Sequence, residues 1–395
     1  MRRKIQENGD AKVELVSDFG KQKLILYAKS FRDLAKTYND ADKGYKEDES
    51  RQEYIVKRRL YENREVLAEH INGLADILCY VADENVTVKE LTTKQKKTLN
   101  HFLKNHHILM DKFCYTESED GVIQVSVDLA YMGKGSFSSG KVAKIFSGVL
   151  NHEFVPVESS PLYLMEEFSH FTFILKPMFS IETGVARAVK ETERLSGDSY
   201  GFSEDEKGRF SLLLSDGMGS GDKAMADSEL VIELAERFLE AGYPLEKTMK
   251  LINGTLASGV ENKNMSTLDI CDIDLYTGNC SFAKVGATVS FIKRDNMVDK
   301  IVAGNLPLGI FVDMEPEIIR RKLQEEDYII MLSDGVLEGL GQVIGEDGIY
   351  DFLCAMDSLS AKEMANHLLN YVIRICNGKI RDDMTILVAK LCVSP

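Results

Sequence analysis

The sequence lacks the features that would direct a chain into a membrane or a secretory route. Its apolar runs all fall short of the roughly 18–20 residues that a helix needs to span a bilayer. The N-terminal stretch MRRKIQENGDAKVE begins with basic residues and then turns polar, so it lacks the apolar core of a signal peptide. The 7 cysteines are scattered without a CxxC pair, which is typical of reduced thiols and not of disulfides or a zinc site. These absences predict a cytoplasmic protein without a membrane span.

Basic charge and histidine are also scarce. The chain has 48 lysines and arginines against 63 aspartates and glutamates, which gives a formal net charge of −15. This balance argues against a general nucleic-acid or anionic-membrane surface. After His170 the sequence has one further histidine, His367, within the apolar segment AKEMANHLLNYVIRIC. The second half of the chain is therefore unlike that of an enzyme with a Ser-His-Asp triad or a histidine-ligated zinc, because both need histidine side chains at the site.

The chain is long enough for two or three domains, with 395 residues of which 44% are hydrophobic. The pattern in residues 1–107 predicts a helical segment. Between residues 50 and 83, large apolar side chains recur at heptad spacing: Leu60, Leu67, Leu74 and Val81, with Ile71 and Leu78 between them. This spacing favours equally a coiled coil that forms a homodimer seam and a helix that packs on its own domain.

The pattern changes after residue 107. Residues 108–165 combine a strand-like valine run with a later helix-like segment, which predicts a small α/β subdomain. The loop GKGSFSSGK in this part lacks the GxxxxGK[ST] spacing of a phosphate loop, so we expect a flexible loop and no nucleotide site. Residues 166–395 form a third segment of short strands, with helices expected at 223–241, 244–258 and 361–376. Strands and helices in this order predict an α+β sandwich with the helices outside.

Acidic residues stand where several of these predicted strands end. Asp216 and Asp334 follow the apolar runs RFSLLL and DYIIML, and a glycine follows each of them. The pair Asp382-Asp383 in DDMT precedes the last predicted strand, and Asp198 in SGDSY looks like a further member of the same set. A single strand-end Asp-Gly is more often an ordinary turn than a functional site. Several such aspartates in one domain instead predict a carboxylate cage for a hard cation such as Mg²⁺ or Mn²⁺.

Motifs along the last 230 residues resemble the phosphatase domain of the stage II sporulation protein E family, part of the metal-dependent protein phosphatase 2C superfamily. They are SGDSY, LSDGMGSG, STLDICDIDLYTG, KVGATVSFIKR, NLPLGI, MLSDGVLEG and DDMTILV, in that order. The upstream stretch ESRQEYIVKRRLYENREVLAEHINGLADIL resembles the helical regulatory segment of the same family. The family's membrane-spanning N-terminal region has no counterpart in this sequence. The chain is thus either a soluble variant or the cytoplasmic part of a longer protein.

This resemblance implies a phosphatase 2C-like β-sandwich flanked by helices, preceded by a helical and α+β regulatory domain. It also implies two Mn²⁺ or Mg²⁺ ions. Asp216 would bridge both ions, the Gly217 carbonyl would bind the second, and Asp334 and Asp382 would close the first. Asp198 would act through metal-bound water near the second ion, and Asp383 is the alternative to Asp382.

The resemblance gives less guidance on cations. Relatives hold the substrate phosphate with an arginine shortly before the first acidic site, where this chain has Arg194 in ETERLSGD. Arg194 either clamps phosphate or is a solvated surface residue. We expect Lys284, Lys293 and Arg294 to be ordinary surface cations.

The implied activity is hydrolysis of a phosphoserine or phosphothreonine on a protein. The resemblance implies a phosphorylated anti-anti-sigma factor as substrate, in sporulation-type control of a sigma factor, and a cell-division protein as a further partner. It also implies regulation by the N-terminal domain through the helix pair after LSDGMG. The alternative is a catalytically weak scaffold of the same fold that acts through its helical N-terminal half. A nucleotide-dependent enzyme is disfavoured, because LSDGMGSGDK has neither GxGxxG nor GxxxxGK[ST] spacing.

Overall fold

The computed structural model describes most of the chain after residue 85 and parts of the region before it. The described residues are 18–40, scattered positions between 64 and 82, 86–118, 122–157, 159–205, 207–218, 221–257, 266–304, 307–308 and 316–394. The chain divides into two compact units, one drawn from residues 1–33 and 74–176 and the other from 34–73 and 177–395. Among the described helices, none combines the length and the apolar character needed to cross a membrane.

The segment 1–107, predicted to be helical, is helical in most of its described parts. Helix α1 spans Asp18–Asp40, and the described positions between 64 and 82 are also helical. The prediction misses the short strand at Val86–Val88, which pairs with the strand that begins at Ile108. Leu67 and Leu74 of the heptad series are 41% and 49% exposed, and Leu60 and Val81 lie outside the described residues. The buried positions of this stretch are instead alanines spaced seven apart: Ala68, Ala75 and Ala82. The homodimer seam therefore stays a prediction.

The first unit is built on one antiparallel sheet of five strands in the order β1-β2-β3-β7-β5. These strands are Val86–Val88 (β1), Ile108–Ser118 (β2), Ile123–Tyr131 (β3), Phe154–Pro156 (β5) and Ser169–Leu175 (β7). Two further short strands pair with each other, Phe137–Ser138 (β4) and Tyr163–Leu164 (β6). Helices Thr93–Asn105 (α2) and Ser139–Leu150 (α3) pack on the sheet around a core that includes Leu99, Phe146 and Phe173. Strand β7 pairs with β3 and so belongs to the first unit, although it lies within the segment 166–395 that the sequence analysis treats as one.

The second unit contains two five-stranded sheets. The β10 sheet has the order β15-β12-β11-β10-β9 and the β17 sheet the order β14-β13-β16-β17-β8. The strands of the β10 sheet are Asp198–Glu204 (β9), Arg209–Asp216 (β10), Leu268–Asp274 (β11), Asn279–Val285 (β12) and Ile318–Lys322 (β15). Those of the β17 sheet are Phe179–Ala188 (β8), Ser290–Arg294 (β13), Met297–Ile301 (β14), Tyr328–Leu332 (β16) and Met384–Val393 (β17).

Helices cover the outer faces of both sheets. Asp222–Glu240 (α4) and Leu245–Ala257 (α5) share a core with the β10 sheet, and Asp334–Ala355 (α6) and Ala361–Ile375 (α7) share one with the β17 sheet. Helix α6 is interrupted at Gly341 and Gly345, where the backbone leaves helical geometry. A third core fills the space between the sheets and takes residues from both, such as Leu212, Phe282 and Leu387. The predicted α+β sandwich with outer helices is confirmed.

Candidate functional site

Two of the predicted aspartates face each other across neighbouring strands. Asp216 is the last residue of β10, and Asp198, the first residue of β9, is its direct antiparallel partner. Side chains of such partners lie about 5 Å apart at their Cβ atoms. Because side chains alternate along a strand, Asp216 points to the same side as Leu214 and Leu212, which belong to the core between the sheets. Both carboxylates therefore lie at the end of the sandwich, between its two sheets.

The other predicted aspartates come from the facing sheet. Asp334 is the first residue of α6, directly after β16, and Asp382 and Asp383 directly precede β17. These two strands are antiparallel neighbours, and the hydroxyl of Ser333 accepts a hydrogen bond from the amide of Thr385 at 2.9 Å. This bond holds the start of α6 against the start of β17. The two acidic segments therefore lie side by side.

The carboxylates of the two sheets are close enough to shift one another's pKa values. Burial raises the pKa of Asp216 to about 9, and the negative charges of Asp198, Asp334 and Asp382 act in the same direction. Burial likewise raises the pKa of Asp198 to about 7; the nearby hydroxyls of Thr385 and Ser333 lower it in part, although neither forms a hydrogen bond of normal geometry with it, and the charges of Asp383 and Asp334 raise it further. Carboxyl groups from four separate segments thus interact at one end of the sandwich. The structure brings together every acidic residue that the sequence singled out.

The site fits a bound divalent cation. Asp198 is only 2% exposed, and neither of its carboxylate oxygens has a hydrogen-bond partner in the described part of the chain. A buried charged group without a partner is costly unless a cation compensates it. Within the described residues, no three carboxylate, imidazole or thiolate side chains already form a metal-binding cluster. Oxygen donors of this kind suit Mg²⁺ or Mn²⁺.

The backbone of Asp216 is held by the STLD motif, whose role the sequence did not reveal. The amide of Asp216 donates to the Thr267 hydroxyl at 2.9 Å, and the Thr267 amide donates back to the Asp216 carbonyl at 2.8 Å. The Ser266 hydroxyl donates to the same carbonyl at 2.7 Å. These three bonds fix the end of β10, so the Asp216 carboxylate projects from a rigid backbone.

Gly217 occupies a position where no side chain fits. A Cβ atom added there would overlap the carbonyl oxygen of Ala224, because the first turn of α4 passes directly over it. The Gly217 amide donates to the carbonyl of Gly197 at 3.2 Å, which joins the LSDG and SGD motifs. The start of α4 is thus in direct contact with the segment that carries Asp216.

Asp382 and Asp383 differ in what their carboxylates do. Asp383 is buried, and its two oxygens accept hydrogen bonds from the backbone amides of Lys190 (2.9 Å) and Gly197 (2.7 Å). The Asp382 side chain is 39% exposed, and it faces the ammonium of Lys190 at 3.6 Å. Asp383 therefore serves as an anchor for the SGD loop, while Asp382 remains accessible to a ligand.

Lys190 is a residue of this site that the sequence analysis missed. Its ammonium lies 3.6 Å from Asp382 and 3.7 Å from Glu193, and the charge of Asp382, followed by that of Glu193, raises its pKa. No local pattern in AVKETERLSGD distinguishes this lysine from a surface residue. Arg194, which the sequence proposed for phosphate, is exposed, and the described contacts do not join its guanidinium to the aspartates.

The prediction that Lys284 and Lys293 are surface cations is wrong. Both are buried, at 1% and 2% exposure. The Lys284 ammonium pairs with the buried carboxylate of Asp269 in the core, and the Lys293 ammonium binds the carbonyl of Asp295. Arg294 is also partly buried, with its guanidinium on both oxygens of the Asp327 carboxylate. Each charge is satisfied inside the fold, which sequence composition does not reveal.

Known proteins match this chain over most of its length. A family model described as stage II sporulation protein E matches residues 206–391. Stage II sporulation protein E of Priestia megaterium is 31% identical over 338 residues, 85% of this chain and 58% of that protein. The protein of the same name from Bacillus subtilis strain 168 is 30% identical over 337 residues, 85% of this chain and 41% of that protein. The chain thus spans about half the length of these curated relatives.

A solved structure shares the fold. It contains the phosphatase 2C domain and a fragment of the regulatory domain of the cell-fate determinant stage II sporulation protein E from Bacillus subtilis. The two structures superpose with a TM-score of 0.61 and 29% sequence identity, over 87% of this chain and 96% of that chain. This likeness confirms the predicted phosphatase 2C-like α+β fold.

Proposed function

Because the chain belongs to the stage II sporulation protein E family, we propose that it is a metal-dependent phosphatase that hydrolyses phosphoserine or phosphothreonine on a protein. One observation carries this proposal: carboxylates of both sheets converge at one end of the sandwich, and the buried oxygens of Asp198 lack a partner. Such an arrangement repels itself at neutral pH unless the carboxyl groups take up protons or cations occupy the site. Divalent cations bound between carboxylates are a recurrent means of hydrolysing phosphate esters.

We infer that this site would hold two Mn²⁺ or Mg²⁺ ions when loaded. The Asp216 carboxylate would be their shared ligand, the Gly217 carbonyl would hold the second ion, and Asp334 and Asp382 would hold the first. Asp198 would act at the second ion through a water molecule. The direct pairing of Asp198 with Asp216 supports this assignment, as does the effect of the Asp334 and Asp382 charges, which together with burial raise the pKa of Asp216. The double hydrogen bonding of the Asp383 carboxylate favours Asp382 over its neighbour as the ligand.

When bound, the cations would supply Lewis acidity and an activated water molecule for attack on phosphorus. The residues of the chain contribute positioning. Ser266 and Thr267 hold the backbone that carries Asp216, and the Asp383 carboxylate holds the loop that leads to Asp198. The apolar core between the sheets begins two residues before Asp216, at Leu214, and excludes water from the inner side of the site. This rigid frame limits the reorganisation needed during the reaction.

The finer parts of the proposal concern partners and regulation. We propose as substrate a phosphorylated anti-anti-sigma protein in sporulation-type sigma-factor control, with a cell-division protein as a further partner and a cytoplasmic location. The N-terminal region would regulate the site through α4 and α5. The close contact between Gly217 and Ala224 supports this route, since movement of α4 would displace the loop after Asp216.

The test is turnover of para-nitrophenyl phosphate and of a phosphoserine peptide with Mn²⁺, followed by removal of the metal with a chelator. We expect metal-dependent hydrolysis by the wild type and a loss of at least about 100-fold in Asp216→Ala. Asp299→Ala removes an exposed carboxylate from β14 and serves as the matched control. Near-wild-type activity of Asp216→Ala would refute the assignment. Binding of a phosphoprotein without any turnover by the wild type would support the scaffold alternative.

A further inference from the structure

Lys190 places a positive charge at the rim of the carboxylate cluster. Its ammonium lies 3.6 Å from Oδ1 of Asp382 and 3.7 Å from Oε1 of Glu193. Its side chain is 30% exposed, so the charge is accessible from solvent. An ammonium with two carboxylates at these distances makes loose ion pairs and no short hydrogen bond. Lys190 therefore retains donors that can turn towards another anion.

The backbone beneath Lys190 is firmly attached to the site. Its amide donates to Oδ1 of Asp383 at 2.9 Å, and the next amide, of Glu191, donates to the carbonyl of Ile380 at 3.2 Å. These bonds tie the lysine to the DDMT motif that also carries Asp382. A change in side-chain direction can therefore move the ammonium while its Cα atom stays in place.

Two arginines near this end of the sandwich are less suited to bind a ligand. The guanidinium of Arg187 donates to the carbonyl of Asp198 at 2.6 Å and lies 5.5 Å from the centre of the Tyr200 ring. It is thus already engaged in bridging β8 to β9. Arg194 is exposed and the described contacts do not tie it to the aspartates.

We propose that Lys190 binds the phosphate group of the substrate and positions it against the carboxylate site. This inference rests on the proposed phosphatase function and names the residue that takes the place assigned by resemblance to Arg194. Once Asp382 ligates a cation, its charge is shared and its attraction for Lys190 falls. The ammonium, a compact charge with three donors, is then free to bind a phosphate oxygen. The Glu193 carboxylate is held in place, because its Oε2 accepts a hydrogen bond from the Gly221 amide at 2.8 Å. Its Oε1 can therefore keep the Lys190 ammonium close to the site.

The experiment compares Lys190→Met and Lys190→Arg with the wild type, with Lys362→Met on the exposed side of α7 as the matched control. Inorganic phosphate is the competitive inhibitor, and a phosphoserine peptide with Mn²⁺ is the substrate. Loss of one charge-assisted contact predicts that Lys190→Met raises both KM and the inhibition constant of phosphate about ten- to hundredfold. We expect kcat to change less, Lys190→Arg to recover part of the loss, and Lys362→Met to match the wild type.

Calorimetric titration with Mn²⁺ in the absence of phosphate separates substrate binding from metal binding. The affinity of Lys190→Met for Mn²⁺ should equal or exceed that of the wild type, because a competing cation has been removed from Asp382. A weaker Mn²⁺ affinity that accounts for the whole kinetic loss would overturn the inference, because Lys190 would then only position a metal ligand. It would also fail if Arg194→Met, and not Lys190→Met, raised the inhibition constant of phosphate.

The two proposals can fail separately. A wild-type chain that hydrolyses no phosphate ester would refute the phosphatase function. An active wild type with unchanged phosphate inhibition in Lys190→Met would refute only the role of Lys190.

Discussion

Replacing Lys284 with methionine should strongly destabilise the second unit, because it leaves a buried carboxylate unpaired. Lys284 on β12 and Asp269 on β11 are direct cross-strand partners, and their charged groups form an ion pair at 0% and 1% side-chain exposure. The Ser290 hydroxyl accepts from Lys284 and donates to Asp269, both at 2.7 Å. Since Ser290 begins β13 of the facing sheet, this network joins the two sheets.

The size of the effect follows from the burial of Asp269. Its Oδ1 already lacks a partner, so loss of the ammonium leaves the carboxylate with the serine hydroxyl alone. Removing one member of a buried ion pair typically costs about 3–5 kcal/mol. For a unit of about 260 residues this corresponds to a fall in Tm of roughly 6–10 °C. Replacing both members with apolar residues should cost far less, because no buried charge then remains.

The assay is urea unfolding of the wild type, Lys284→Met, Asp269→Leu and the double variant, analysed as a double-mutant cycle. We expect each single variant to lose about 3–5 kcal/mol and the double variant to lie within about 2 kcal/mol of the wild type. Lys362→Met, at an exposed position of α7, should change stability by less than about 0.5 kcal/mol. A loss below about 1 kcal/mol for Lys284→Met would refute the argument, as would strictly additive effects.

Three further predictions concern the site itself. Asp382→Ala should weaken Mn²⁺ binding at least about tenfold in calorimetry and leave the urea midpoint nearly unchanged. Asp383→Ala should instead lower the free energy of unfolding by about 2–4 kcal/mol, because two backbone amides lose their acceptor. If both variants lost the same Mn²⁺ affinity and the same stability, the separate roles of these two aspartates would be refuted. Gly217→Ala should lower Tm, because its Cβ would overlap a carbonyl of α4, and an unchanged Tm would show that α4 does not press on this residue. The pKa values of Asp198 and Asp216 are raised to about 7 and about 9, above the unfolded value near 4. The metal-free protein should therefore keep full stability from these groups below pH 4 and lose it as pH rises towards 9. Added Mn²⁺ should then shift the urea midpoint more at pH 8.5 than at pH 6, and a larger shift at pH 6 would contradict the reasoning.

The strands that carry the aspartates could be predicted from sequence, whereas their pairing could not. The apolar run before Asp334 predicted β16 with its observed bounds, and β10 extends to Asp216 itself. Strands covered on both faces form nearly continuous apolar runs, which is a strong signal. The contact of Asp198 with Asp216 depends instead on strand register, and β9 was not predicted. Asp334 was expected at a turn but begins a helix, because the glycines that interrupt α6 obscure its periodicity.

Burial of individual residues was the least predictable feature. The heptad leucines Leu67 and Leu74 are exposed in the single chain, while the alanines that follow them, Ala68 and Ala75, are buried. A heptad pattern gives most weight to leucine and does not distinguish a face that packs within the chain from one that packs against a second copy. The burial of Lys284 could not be predicted either. Its ammonium is tolerated in the core because it pairs with Asp269, and this pairing is visible only in the folded structure.

The most direct test of the carboxylate site is calorimetric titration of Mn²⁺ into the full chain and into Asp216→Asn, a variant of nearly the same shape without the charge. We expect two Mn²⁺ ions per wild-type chain, because the proposed shared ligand Asp216 interacts with carboxylates of both sheets. Asp216→Asn should lose at least one ion or bind both at least about tenfold more weakly. Equal stoichiometry and affinity in the two proteins would contradict the account.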